Sequence, residues 1–373
     1  MALRLGLTGD VMLGRLVNEA QQDRQPAAVW GDLLPALREL DGLLVNLECC
    51  LSTRGSKWRR TRRAFHFRAT PDWAIPALEA AGTSYCSLAN NHVLDFEEPA
   101  LFDTLDALDD AGIPHAGAGR TKQAAFAPAT VSVGEAATEP ATDSTIAGDG
   151  GVSGGRNGAL GGDGAGDDGT AGSDDRLSVA VVSLTDNTPE YAATDTSPGT
   201  AHVEFDVDDP ETRSAVQSAL GRATTTDPDL LVASLHWGPN MVVDPPERFQ
   251  RFAHWLVDQG VDLLHGHSAH VVQGIEIHDG VPICYDCGDF VDDYAVNEQL
   301  RNDRSFLFEA RVDDDDASIS ALHLTPTEIQ DRAVHRASPG TARWLRETIR
   351  ERSAQFDTDF VRHGDGLIVP VGR

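Results

Sequence analysis

Five short stretches of this sequence end an apolar run in side chains that bind metal ions or move protons. They are "TGD" at Asp10, "NLE" at Glu48, "ANNH" at Asn91 and His92, "SLHWG" at His236, and "HGHSAH" at His265, His267 and His270. The apolar run before each reads as a strand. Open α/β sheets set their ligands outside the carboxyl ends of their strands. Five such ends can therefore converge in one pocket although they lie far apart in sequence. Carboxylate, amide and imidazole together suit one or two divalent ions, Mn, Zn, Fe, Co or Ni. A carboxylate bridging two ions about 3.5–4 Å apart gives the clamp that activates water and stabilises departing phosphoryl oxygens. Singly, each stretch has a plainer explanation. Asp10 can cap a following helix, and Glu48 can pair with an arginine. Asn91 can close an Asx turn and His92 can make a packed hydrogen bond. His236, beside Trp237, can be a satisfied core histidine. His265 fits best as support for its strand end, outside the ligand set.

One basic run stands between two of these stretches. Arg54, Lys57, Arg59, Arg60, Arg62, Arg63 and Arg68 lie between Glu48 and Asn91, in a chain whose 59 acidic and 30 basic residues leave a net charge of -29. Arginine pairs bidentately with phosphate and carboxylate, so Arg59, Arg60, Arg62, Arg63 and Arg68 are candidate contacts for an anionic substrate or polymer. The same side chains can instead pair with the protein's own acidic surface. Such acidity repels nucleic acid and anionic membranes. It is best tolerated where salt screens it, since the Debye length falls to about 3 Å at 1 M. The expectation is a halophile's cytoplasmic protein with no nucleic-acid partner. No stretch reaches the roughly 18 apolar residues of a membrane span, and none reads as a signal peptide. Direct membrane insertion is not expected, so any export role would need a membrane-bound synthesis or export partner. The odd count of five cysteines does not suggest a disulfide framework.

The elements that must position these residues alternate. "LRLGLT", "GLLVNLE" and "TSYCSL" read as strands, and "GDLLPALREL", "PDWAIPALEAAG" and "EEPALFDTLDALDDAG" as helices. The alternation resumes with "LSVAVVSL", "PDLLVASLHWG" and "VDLLHGHSAH" as strands, and "DPETRSAVQSAL" and "PPERFQRFAHWLVDQG" as helices. "VVQGIEIHDG" predicts a hairpin with an Asp-Gly turn. Late strand candidates without helices between them, "RSFLFEARV" and "SISALHLTPTEI", argue against a simple parallel Rossmann sheet. Residues 127–176 are dominated by Gly, Asp, Ser and Thr and are expected to be a disordered loop. The expected organisation is one domain over 1–325, interrupted by that loop, with 326–373 a C-terminal helix and tail packed on it.

The order "GDVMLG", "VNLE", "LANNHVLD", "HAGAG", "LHWGPN", "HGHSAHVVQGIE" and "YDCGDF" resembles the CapA family of poly-gamma-glutamate synthesis proteins. The resemblance covers roughly residues 3–310 outside the loop. It implies a calcineurin-like metallophosphoesterase fold, a four-layer αββα sandwich. It also implies roles by motif. Asp10 would hold one metal and take part in catalysis, and Glu48 would stand at the bridging carboxylate. Asn91 and His236 would hold the second ion, and His267 and His270 would supply one histidine to each. His92 would sit by the leaving group. Asn46, His265, Asp289 and Asp95 would support these residues. The chain departs from the pattern in several places. Phosphoesterases open with Asp-x-His, whereas Val11 and Met12 follow Asp10. The final histidines are three apart, not two. Where CapA-like proteins read GHHPH and GNF, this chain reads GHSAH and GDF. The implied activity is metal-dependent hydrolysis of a phosphoester or related anionic bond. The alternatives are a non-catalytic polyanion-binding or assembly protein and a gamma-glutamyl amidase.

Overall fold

In the computed structural model, residues 2–134 and 176–372 are described. In the larger of two main sheets, Leu3–Val11, Gly42–Leu47, Tyr85–Ser87 and His115–Ala116 run parallel in that spatial order. Arg304–Val312, Ile319–Gln330 and Gly366–Pro370 extend it antiparallel from the other side of Leu3–Val11. In the smaller sheet Leu177–Thr185, Leu230–His236, Leu263–His267 and Val281–Cys284 are parallel. Ala129–Val133 and Ile275–His278 close its two edges antiparallel. All seven residues of "LLVASLH" at 230–236 are buried, as expected of a parallel strand covered on both faces.

Strand alternation divides the core. Leu5, Leu7 and Leu44 face inward and meet Val179, Val181, Val232 and Leu263 of the smaller sheet. Tyr85 spans the interface, its hydroxyl 2.5 Å from Ser183 Oγ. Leu43 and Val45 face outward, into a cluster with Trp73 and Leu78 of helix Pro71–Ala80 and Leu101 and Leu108 of helix Glu97–Asp110. On the outer face of the smaller sheet, Val182, Leu231 and Leu235 cluster with Val216 and Leu220 of helix Pro210–Ala223 and Phe252 and Leu256 of helix Glu247–Asp258. Helix Pro339–Ser353 buries Leu345 and Ile349 in the cluster between the sheets, and its Ser353 Oγ accepts from Ile275 N at 2.9 Å.

Two expected boundaries move. The loop expected from residue 127 begins later, because "ATVSV" at 129–133 pairs with Leu177–Thr185 and buries Val131 and Val133. Residues 135–175 of that loop lie outside the described residues. The boundary expected at 325 falls inside the strand Ile319–Gln330. Residues 326–373 are more than helix and tail: Ala333–Arg336, Val361–His363 and Gly366–Pro370 all join the larger sheet. These strands have three to five residues, too few for alternation to show in sequence. The expected hairpin is present. Asp279 and Gly280, at φ 49° and 81°, turn Ile275–His278 into Val281–Cys284.

Candidate functional site

Parallel strands in each sheet bring the five chemical stretches to one edge. Asp10 is the penultimate residue of the first strand, Glu48 follows the second and Asn91 follows the third by four residues. His236 and His267 pair in register at the ends of their strands. Two glycines permit this. A Cβ on Gly9 would collide with the Gly288 carbonyl, and one on Gly266 with that of Tyr285. The loop after His267 turns back with Ser268 and His270 at φ 113° and 60°. Non-glycine residues held there carry backbone strain, which clusters at functional sites.

His236 lies at the centre. Its Nδ1 is 2.9 Å from His267 Nδ1 and 3.9 Å from Asp10 Oδ1, and its Nε2 is 3.1 Å from Asn91 Oδ1 and 3.8 Å from Glu48 Oε1. His267 Nδ1 is also 3.9 Å from Asp10 Oδ1. His270 Nδ1 faces Asp10 Oδ2 at 3.3 Å and Asp289 Oδ1 at 2.8 Å. Two groups of atoms are thus close enough to share an ion: Asp10 with His236 and His267, and Asp10 with Glu48 and His270. Asp10 is common to both. Asn46 Nδ2 donates to Asp10 Oδ1 at 2.7 Å. His265 is apart from the cluster. Its Nε2 donates to the Thr8 carbonyl at 2.6 Å, tying the two sheets together behind the site.

Asp10, Glu48, His236, His267 and His270 are nearly sealed from solvent, and electrostatics follow from that. Burial drives His236 down to about 3 and His267 well below its ordinary range, so both rings are neutral, as metal ligands must be. Burial opposes ionisation of Asp10, but the His270 hydrogen bond and the neighbouring imidazoles outweigh it and hold Asp10 below the usual carboxylate range. For Glu48 the help from the His270 charge is outweighed. Burial first, and the Asp10 charge second, push it well above the usual range. Both Glu48 oxygens are buried without a hydrogen-bond partner. Native structures rarely leave a carboxylate in that condition, and a cation is the partner that fits the donor set around it. The five cysteines are buried and unpaired.

A second arm enters from the Asn91 loop. His92 Nδ1 is 2.6 Å from Asp95 Oδ2, which turns Nε2 toward Glu48 Oε1 at 3.7 Å. Asp95 is itself fixed by Phe67 N at 2.7 Å and Tyr191 OH at 3.1 Å. Of the five candidate arginines, the structure brings one to the site. Half-buried Arg63 donates to the Asn91 carbonyl and to Thr188 Oγ1 and lies over the Tyr191 ring. Arg60 pairs with Glu98 at 2.7 Å, and Arg68 donates to the Arg54 carbonyl over the Phe96 ring. Arg59 and Arg62 are exposed. Arg54 and Arg60 are tied to Asp103 and Glu98 of helix Glu97–Asp110, because the loop runs across that helix.

Several residues that build the cluster were not expected from the sequence. Asn90 builds the Asn91 turn: its Oδ1 accepts from His92 N and Val93 N, both at 3.1 Å, and its Nδ2 donates to Leu47 O at 2.9 Å. Ser234 Oγ, 2.9 Å from His267 Nε2, orients that ring. Its place two residues before His236, on the same strand face, was a usable signal. Tyr294, edge-on to His270 with ring centroids 4.9 Å apart, had no local signal. At the rim, Asn187 Nδ2 donates to Ser268 Oγ at 2.8 Å. Burial pushes its neighbour Asp186 up to about 6 from 3.8. Its folded value exceeds its unfolded one, so its stabilising effect is full at pH below 3.8 and is lost as pH rises through 6. Asp186→Asn should flatten that decline in denaturant titrations across the window.

Residues 4–145 and 170–294 match the family described as "Bacterial capsule synthesis protein PGA_cap". A "Probable polyglutamine synthesis accessory protein" of Mycobacterium tuberculosis is 31% identical over 378 aligned residues, covering 98% of this chain and 87% of the relative. "Capsule biosynthesis protein CapA" of Bacillus anthracis is 25% identical, covering 88% of this chain and 68% of the relative. "PGA biosynthesis protein CapA" of Bacillus subtilis is 22% identical, covering 78% and 63%.

Proposed function

The chain belongs to the PGA_cap family of bacterial capsule synthesis proteins, and from that premise we propose that it is an accessory protein of poly-glutamate synthesis acting as a metal-dependent hydrolase of a phosphoester or related anionic bond. The fold that supports this is the calcineurin-like four-layer arrangement, two sheets face to face with helices outside both. The observation that carries the proposal is the Glu48 carboxylate, buried with neither oxygen partnered, beside Asp10 and within 4 Å of two imidazoles. Asp10, Asn91, His236 and His267 would hold one ion, and Asp10, Glu48 and His270 a second. Asp10, common to both groups, is then better placed than Glu48 as the bridge. The ions, of the Mn, Zn, Fe, Co or Ni class, would supply an activated water and neutralise charge on the scissile group.

The chain's own residues do the rest. His92, its ring held by Asp95, presents Nε2 to the leaving oxygen and gives it a proton. Arg63 meets the anionic substrate at the mouth. The cytoplasmic side of a synthesis complex is the setting we propose, with a membrane-bound partner, since no helix among the described residues is long and apolar enough to cross a membrane.

The test is turnover of bis-p-nitrophenyl phosphate after chelation and addition of each divalent ion. Turnover that disappears with chelator and returns with Mn²⁺ or Zn²⁺ supports the hydrolase. No turnover with any ion, while poly-gamma-glutamate still binds, leaves only the assembly role, and release of glutamate from that polymer would establish the amidase. Within the hydrolase, Arg63→Ala should raise KM about tenfold or more, as for a lost charged hydrogen bond of about 1.5–3 kcal/mol. Arg60→Ala and Arg68→Ala should stay within twofold, because Arg60 pairs with Glu98 and Arg68 with the Arg54 carbonyl, whereas Arg63 is bonded to the Asn91 loop itself.

A further inference from the structure

The net charge of -29 is not spread evenly over the molecule. A surface pocket of about 480 Å³ is lined by Arg15, Lys57, His66 and Arg68, with Glu19 the single carboxylate among its lining side chains. In so acidic a chain that local reversal of sign calls for a cause. Two segments build it. The helix Arg15–Gln21 supplies one wall. The strands Cys50–Leu51 and Arg68–Ala69 pair with each other, and the loop between them brings Lys57 and His66 to the other. The pocket stands one aromatic layer from the metal cluster. Phe67 is edge-on to His92, with ring centroids 4.6 Å apart. The Arg15 guanidinium lies 4.9 Å from the same Phe67 ring and 4.4 Å from that of Phe65.

We propose that this pocket is a distal subsite that holds an extended polycarboxylate chain beside the strand-end cluster. The assignment rests on the poly-glutamate role proposed above, and it is independent of whether the cluster turns over a phosphoester. Cationic groups are available there. Lys57 is exposed and has no hydrogen-bond or ion-pair partner among the described residues. Arg68 uses one nitrogen on the Arg54 carbonyl at 2.9 Å and lies over the Phe96 ring, 4.0 Å from its centroid. Arg15 is held by Asp293, 3.3 Å from its Nη1, and so shapes the wall more than it adds free charge. A basic patch kept only to neutralise the protein's own acids would have its charges paired, as Arg54 is with Asp103 and Arg60 with Glu98. Lys57, on the same loop, is not. The apolar lining fits the same ligand. Leu16 and Phe96 stand among the cations, and Leu16 is one of the few large apolar side chains exposed among the described residues. A polyphosphate carries charge at every unit with nothing apolar between. A polycarboxylate separates its charges by methylene groups, so cations interleaved with apolar surface complement it.

The experiment measures binding of fluorescently labelled poly-gamma-glutamate by anisotropy, in chelator and at fixed potassium chloride, so that no metal contributes. Lys57→Glu and Arg68→Glu should each weaken binding about tenfold or more, the size expected for a lost charged hydrogen bond. Arg213→Glu makes the same charge change on helix Pro210–Ala223, outside the pocket lining, and should stay within twofold. Unlabelled poly-gamma-glutamate should compete better than polyphosphate of equal charge. Lys57 is exposed and unpaired among the described residues, so its variant should keep the native near-ultraviolet circular dichroism. The proposal is overturned by absence of binding to the native protein, by equal affinity of native and folded Lys57→Glu protein, by an equal loss in Arg213→Glu, or by polyphosphate competing as well or better. Turnover is read separately. If no ion supports it while the pocket variants still lose the polymer, the hydrolase reading fails and the subsite stands.

Discussion

Glu48→Gln should lose about 10²–10³-fold in metal-dependent turnover, the size expected when one preorganised electrostatic partner is removed, while making the metal-free protein more stable. The two effects share one cause. In the metal-free protein the carboxylate is buried with neither oxygen bonded, and it stands against the Asp10 charge. A buried group left unsatisfied costs about 1–3 kcal/mol, more when charged. Glutamine keeps the shape and avoids the cost of either protonating Glu48 or ionising it beside Asp10. We expect a gain on the order of 1 kcal/mol, or about 1–2 °C in Tm for a chain of this length. Added metal should then stabilise the native protein strongly and the variant weakly, by mass action on the folded state. A carboxylate kept only for structure would give the opposite pair of results, with stability lost and turnover unchanged. Differential scanning fluorimetry with and without Mn²⁺, beside steady-state kinetics, reads both.

His92→Ala should separate substrates by their leaving groups. The ring is fixed by Asp95 at 2.6 Å and by edge-on contact with Phe67, and its Nε2 faces the cluster. A poor leaving group, such as an alkoxide, needs a proton as its bond breaks, so kcat/KM should fall about 10²–10⁴-fold. For p-nitrophenolate, which leaves without one, the loss should stay below about tenfold. Asp95→Asn should reproduce the same pattern at smaller size, because that residue positions the ring and does not touch substrate. Equal losses for both leaving groups would mean that His92 only packs the loop.

Much of this site was legible because strand ends carry it. Asp10, Glu48, Asn91, His236 and His267 each follow an apolar run, and parallel order alone brings such ends to one edge. His265 was separable for a related reason: alternation gives it and His267 one strand face, but it lies one pair deeper in the strand and reaches the Thr8 carbonyl. The arginines were less legible. Composition showed a basic run, but only the path of the loop across helix Glu97–Asp110 decides that Arg63 turns inward while Arg60 meets Glu98. The late strands were missed for want of length. Five residues at Gly366–Pro370, two of them fully buried, join the sheet through partners far away in sequence. Tyr191 and Tyr294 reach the site by tertiary packing alone, which no local pattern encodes.

The most direct test of the strand-end metal centre is a crystal grown with Mn²⁺ and measured for anomalous scattering at the manganese edge. One or two peaks should appear among Asp10, Glu48, Asn91, His236 and His267, with Glu48 coordinating the ion. Anomalous maps without a peak there, and with His236 and His267 still bonded directly to each other, would contradict it.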